Sequence, residues 1–216
     1  MGAARKAVVR FERDAGAHVL RVNLADDYAP SRTFAADYCH VSREVDGIRV
    51  LFGKKSPFST ESVPRFHYLI EVTLPFAAFY NQLYKSLRVP SEPGKPLFEE
   101  SLTQSIENNG YDRITTMPEP SKFEEVKTDR LGSGRATVAL MFVFDDEASV
   151  DFLHLDAMTL NMASQGKPIR NEKVGNDSVR FVMAPNVLMY FLQLVDKAAQ
   201  ELYKHEPKID REMKTP

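Results

Sequence analysis

"YLIEVTLPFAAFYNQLYKSL" (Tyr68 to Leu87) changes its hydrophobic period in the middle, and that change decides the fold class. Tyr68, Ile70, Val72 and Leu74 alternate with His67, Glu71 and Thr73, the pattern of a strand with one buried face; Leu69 is the exception. After Pro75, the residues Phe76, Phe79, Tyr80, Leu83, Tyr84 and Leu87 recur at i, i+3, i+4, i+7, i+8 and i+11, the stripe of a helix lying on a core. Proline suits the first helical turn, where its missing N–H costs nothing.

A second stretch, "VRFVMAPNVLMYFLQLVDKAAQEL" (Val179 to Leu202), has the same plan: a strand, Pro185, and a helix with the stripe Val187, Phe191, Leu194, Val195, Ala198 and Leu202. Pro75 aligns with Pro185 at an offset of 110, and Gln82-Leu83 with Gln193-Leu194 at 111, so one residue slips near the helix start.

Upstream of the first unit, four runs alternate as strands do: Ala7 to Arg13, His18 to Leu24, Ala36 to Val45 and Ile48 to Lys55. Asp46-Gly47 between the last two is a hairpin signal, because the turn needs positive φ. Upstream of the second, "ATVALMFVFDD" and "ASVDFLHLDAMTLNMAS" resume the β pattern from Ala136. Two β-meander-plus-helix units predict an α+β fold with internal duplication, each half an antiparallel sheet covered by its own helix. The divisions are residues 1–89 and 136–206 for the two units, 90–135 for a Pro-rich acidic linker, and 207–216 for a loose polar tail. Within the linker, Pro96 to Asn109 reads as a short helix with Phe98, Leu102 and Ile106 on its apolar side and Gly110 as its stop.

The composition, 43% hydrophobic and 27% charged, is that of a soluble globular protein, and the net charge of −2 gives no global basic field for nucleic acid. Charge is unevenly placed: residues 1–89 hold 13 Lys and Arg against 9 Asp and Glu, and acids prevail elsewhere. Cys39 is the sole cysteine, which excludes an internal disulfide and a Cys-rich zinc site. The start "MGAARKAVVRFERD" lacks the apolar core of a signal peptide, no apolar run is long enough to span a bilayer, and Lys6 stands where myristoylation wants Ser or Thr. A cytoplasmic location is expected.

Contiguous catalytic motifs are missing: there is no GxSxG, Walker glycine loop, HExxH or Rossmann glycine pattern. The "GSGR" at 132–135 reads as a turn or linker rather than a phosphate cradle. Cys39 shares a strand face with Val41 and Val45 and reads as a small core residue; its neighbour His40 points the other way. His154 and Asp156, two apart on a strand, lack a third metal ligand. The paired aspartates of "FDDEAS" (Phe144 to Ser149) and "NLADDY" (Asn23 to Tyr28) read as acidic turns.

The remaining constellation is a sheet face. If a helix covers Leu20, Val22, Val41, Val50, Phe52, Ile70 and Val72, the opposite face presents Arg10, Arg21, Tyr38, His40, Arg49 and His67. Interleaved basic and aromatic groups of this kind can stack bases and hold phosphates of a single strand, and antiparallel sheets also commonly expose such residues.

A β-meander followed by a strand entering a helix, repeated once over residues 7–89 and 136–204, resembles the PUR-repeat and Whirly-type single-strand nucleic-acid-binding proteins. That resemblance implies two units about a pseudo-twofold axis. "GIRVLFGKK" with "IEVTLPFAAFYNQLYKSL" also resembles an uncharacterised bacterial family of strand-strand-helix proteins. The expected function is a non-enzymatic, self-associating protein-interaction module with no cofactor, no metal and no membrane partner. The alternatives are single-stranded nucleic-acid binding through the N-terminal sheet and chaperone-like capture of unfolded segments by Phe76, Phe79, Tyr80 and Phe191. A hydrolase or transferase with dispersed residues stays open.

Overall fold

A computed structural model describes residues 6–13, 16–23, 29–43, 47–60, 66–75, 97–114, 117, 131–165, 167 and 178–205, with the side chains of 6–23, 66–71, 75, 131–135, 160, 163–164, 199 and 202–205 outside that description. In chain order the elements are β1 (Lys6–Arg13), β2 (Gly16–Asn23), β3 (Arg32–Ala35), β4 (Tyr38–Arg43), β5 (Gly47–Lys55), β6 (Phe66–Pro75), α1 (Phe98–Asn108), β7 (Leu131–Arg135), β8 (Val138–Val143), β9 (Ala148–Leu153), α2 (Ala157–Ser164), β10 (Val179–Met183) and α3 (Pro185–His205). The α+β class holds. The helix expected after Pro75, the tail from 207 and the "NLADDY" aspartates lie outside the described residues.

The sheets are not the two separate antiparallel meanders that periodicity suggests. One has the order β4-β5-β6-β7 and the other β3-β10-β9-β8, while β1 and β2 form a hairpin sheet of their own. Each four-stranded sheet therefore takes its edge strand from the other stretch of chain, and that strand pairs parallel: β3 with β10, β7 with β6. Neither exchanged strand has an alternating pattern to announce it. Arg32–Ala35 falls in the polar connection, and β7 includes the "GSGR" read as linker.

The chain turns both corners in the same way. Ala36 N–H donates to Val182 O at 2.8 Å and Ala136 N–H to Thr73 O at 3.0 Å; Asp37 N–H then donates to Gly53 O at 3.1 Å and Thr137 N–H to Leu153 O at 2.8 Å. The next bond also matches: the Asp37 carboxylate accepts from Lys55 N–H, and Thr137 Oγ1 accepts from Leu155 N–H at 2.7 Å. Beyond each corner the hairpins share one register, with Cys39 opposite Phe52 and Ala139 opposite Phe152, so position n of β4–β5 corresponds to n + 100 in β8–β9. Leu74 opposite Ile48 and Met183 opposite Ala148 give 109 (183 − 74) for the last strands. Pro75 thus matches Ala184 and closes β6 opposite Gly47, whereas Pro185 opens α3 one residue later.

Alternation puts Ile48, Val50, Phe52, Val72 and Leu74 of one sheet and Ala148, Val150, Phe152, Phe181 and Met183 of the other into one shared core. Phe52 lies at its centre: its ring is 4.1 Å from that of Phe181, 5.5 Å from Phe191 and 5.8 Å from Phe152, all buried. The α3 stripe contributes Val187, Phe191 and Val195 as its spacing predicts, together with Leu188 and Leu192. The wider apolar band follows from two neighbours, because α3 packs on β4 of the opposite sheet and on α1.

α1 begins with Leu97 N–H donating to Glu100 Oε2 at 2.9 Å and ends at Gly110, whose φ of 65° suits a residue without a Cβ. Leu102 and Ile106 enter the core, so this part of the 90–135 stretch packs on the body. α2 replaces the expected continuation of β pattern after Leu153, because Asp156 Oδ1 accepts from Thr159 N–H at 2.6 Å and caps a helix there.

The second face of the β8–β9 sheet is also closed. Val138, Leu140 and Leu153 are buried there, β1 lies beside β8, and α2 lies beside β2. Arg180 stands opposite Asp151 and grips its fully buried carboxylate with two hydrogen bonds of 2.7 Å.

The corners predict unequal costs. Thr137→Val strands Leu155 N–H, which is buried, and should lower unfolding free energy by about 1–3 kcal/mol. Asp37→Ala exposes Lys55 N–H to water at an open position and should cost less than about 1 kcal/mol. Urea denaturation midpoints at unchanged m-value measure both.

Candidate interaction surfaces

The six residues predicted to share a nucleic-acid face do not share one. Arg10 and Arg21 belong to the β1–β2 hairpin, opposite Val19 and Val8, and that hairpin is not hydrogen-bonded to the sheet carrying the others. Tyr38 is 0% exposed: it stands opposite Gly53, where no side chain competes for the space, and its ring is enclosed. His67 is displaced by a bulge. Phe52 pairs with Ile70 but Gly53 pairs with Tyr68, leaving Leu69 as the extra residue. A one-residue slip exchanges the faces of everything beyond it, so His67 stands opposite Lys54 in the row of Phe52, while Tyr68 joins the row of Arg49. Only His40 and Arg49, on neighbouring strands and half-buried, are brought together as expected.

Cys39 is in the core with 1% exposure, its Sγ 3.9 Å from Val187 O, and burial drives its thiol far above the ordinary thiol range. His154 and Asp156 lie just past the end of β9 and are exposed, Asp156 serving as the cap of α2. Among the described residues no group of three His, Cys, Asp or Glu could hold a metal, and no helix is long and apolar enough to cross a membrane. Phe191 is buried against Phe52 rather than lining a groove, and Phe76, Phe79 and Tyr80 lie outside the described residues.

Two turns at the surface are built to present side chains. At the end of β5, Ser56 O accepts from Ser59 N–H at 3.0 Å and Ser56 Oγ from Phe58 N–H at 3.3 Å, around Pro57, whose ring fixes φ. The result is a stiff turn that holds the Phe58 ring 77% exposed, three residues after the exposed Lys54-Lys55 pair.

The second turn joins β8 to β9. Phe144 N–H donates to Glu147 O at 2.7 Å, and the outward carbonyls are taken up by α1 and the segment after it. Ser105 Oγ donates to Asp145 O at 2.7 Å, Asn109 Nδ2 also donates to Asp145 O, and Tyr111 Oη donates to Asp146 O at 3.0 Å. With its backbone so engaged, the turn exposes Phe144, Asp145, Asp146 and Glu147 in a fixed arrangement.

These turns sit on hairpins of matching register and opposite charge. Residues 38–55 hold Arg43, Arg49, Lys54 and Lys55 against Glu44 and Asp46; residues 138–155 hold Asp145, Asp146, Glu147 and Asp151 and no Lys or Arg. Periodicity finds the strands of both hairpins but not the turns' rigidity, which comes from Ser56 and from the distant Ser105 and Asn109. The local signals available were the Ser-Pro pair and the run of acids. Comparisons with protein-family models, with curated proteins and with solved structures returned no match.

Native Cys39 should resist a thiol-specific reagent such as Ellman's at pH 8 and react stoichiometrically once the chain is unfolded in guanidinium. Rapid labelling of the native chain would contradict the buried placement.

Proposed function

We propose that this chain is an internally duplicated, non-enzymatic interaction module that binds further copies of itself head to tail. The Lys54–Phe58 turn of one copy meets the Phe144–Glu147 turn of the next. The observation that carries this reading is the pair of stiff, exposed turns, each with an outward phenylalanine and with opposite charges. A preorganised aromatic anchor beside complementary charge is the composition of an interface hot spot, since little side-chain and loop freedom is lost on docking. The two patches differ from each other, so their contact is heterologous and can build rings or open chains.

Light scattering after size exclusion, over a concentration series, tests it. Association should weaken between about 0.02 M and 0.5 M salt, because screening shortens the reach of exposed charges. Lys54→Glu with Lys55→Glu should reduce the chain to monomer, and adding Asp145→Lys with Asp146→Lys should restore assembly. A wild-type chain that stays monomeric at low salt and high concentration, or a double Lys→Glu chain that assembles normally, would overturn the reading.

The same Phe58, following the exposed Lys54-Lys55 pair in the chain, favours a second reading, in which one base of a single strand stacks on the ring and Lys54 and Lys55 hold its phosphates. Phe58→Ala separates the two. Under this reading, salt-dependent oligonucleotide binding is lost while assembly through the lysines and aspartates survives in weakened form.

A further inference from the structure

A cavity of about 150 Å³ lies between α1 and the first turns of α3. Its apolar wall is Ile106, Ile114 and Met189; its polar groups are Glu99 and Thr103 from α1, Arg113 from the segment after it, and Asn186 and Gln193 from α3. Asn186 decides what the cavity can accept. Its Nδ2 donates to Asp112 O at 2.7 Å, which fixes the amide orientation, since flipping it would set two acceptor oxygens against each other. Oδ1 is consequently turned elsewhere, and it is buried with no hydrogen-bond donor among the described residues. A buried amide oxygen in that state is destabilising until a donor reaches it.

The charges around it narrow the choice. Glu99 and Oδ1 are both acceptors and together suit an ammonium, while they disfavour a bare anion. Arg113 lies on the same rim, 77% exposed and only 3.7 Å at nearest from Glu107 Oε1, so its planar donors remain available to a carboxylate. Thr103 Oγ1 is already committed to Glu99 O at 2.9 Å and adds no further donor requirement. The wall of Ile106, Ile114 and Met189 suits an aliphatic group, and a volume near 150 Å³, partly open at the rim, admits a small molecule rather than a nucleotide.

We propose that this cavity binds a small zwitterion of the aliphatic α-amino-acid class. The ammonium bridges Glu99 and Asn186 Oδ1, the carboxylate lies on Arg113, and the side chain rests on the Ile106–Met189 wall. No bond is made or broken. The site is separate from the two surface turns, and its occupancy does not depend on self-association.

Calorimetric titration of the full chain with L-leucine, 4-methylpentanoate and 3-methylbutylamine tests this, because the last two lack the ammonium and the carboxylate respectively. L-leucine is expected to bind, and each truncated probe to bind about tenfold or more weakly, the loss expected for one charge-assisted hydrogen bond. Arg113→Gln should weaken L-leucine by a similar factor and leave 3-methylbutylamine unchanged; Glu99→Gln should weaken L-leucine and leave 4-methylpentanoate unchanged. Both side chains are exposed, so circular dichroism and thermal midpoints should match wild type. The proposal is overturned if L-leucine fails to bind at about 10 mM, a concentration that would detect even very weak affinity. Truncated probes that bind as well as L-leucine, or two variants that bind it normally, overturn it equally.

Discussion

Neither large sheet is complete without a strand from the other end of the chain, and everything else in the fold accommodates that exchange. β3 has one strand neighbour, β10, and their starts are tied by Ser31 N–H donating to Ser178 Oγ at 2.8 Å across 147 residues. Closing so long a loop costs conformational entropy, but the cost grows only slowly with length. The shared core around Phe52 supplies the compensating burial. The same arrangement makes folding non-local, because β4 and β3 gain their covers only when α3 and β10 arrive.

With one backbone plan used twice, the side chains decide what each sheet becomes. At positions related by 100, His40, Ser42 and Gly53 face Leu140, Phe142 and Leu153 as counterparts, and Leu51 faces Asp151. The apolar set demands cover, which β1 helps to supply from the second-face side, and Asp151 is tolerated there because Arg180 satisfies both of its oxygens. His40 and Ser42 on the β4–β5 side stay half-buried. Divergence of charge between the two hairpins follows the same division.

What could be read in advance was what side-chain period encodes. The strand at Val72 and Leu74, the α3 stripe, the core place of Cys39 and the helix ending at Gly110 were all legible, because burial of one face leaves a mark every second or every third to fourth residue. Leu69 was legible as an anomaly only; its cause, a bulge, sits in the pairing with Gly53. β3 and β7 were not legible. Short edge strands are held by main-chain bonds, and Gly132-Ser133-Gly134 supplies those as well as any other residues. Arg10 and His67 are separated from His40 and Arg49 for a related reason, whereas Tyr38 keeps their row and is lost to burial. Period assigns a residue to a side of its own strand, whereas sharing a surface depends on which strands pair and in what register.

α1 shows most clearly how composition can mislead where geometry does not. The 90–135 stretch is rich in proline and acid, which reads as linker, yet three apolar residues at four-residue spacing, Phe98, Leu102 and Ile106, are enough to seat a helix when a partner stripe on α3 is waiting. Two of the helix's three acids favour this, since Glu99 and Glu100 lie in the first turn, where the helix dipole favours negative charge. Once seated, the helix has three engaged sides: one in the core, one holding the carbonyls of the acidic turn through Ser105, and one roofing the cavity beside Asn186. A segment that looked like a tether between two units is thereby the element that fixes the acidic turn and closes the α3 groove. Both surfaces owe their shape to one amphipathic helix whose partner lies about 80 residues further along the chain, beyond the reach of any local pattern.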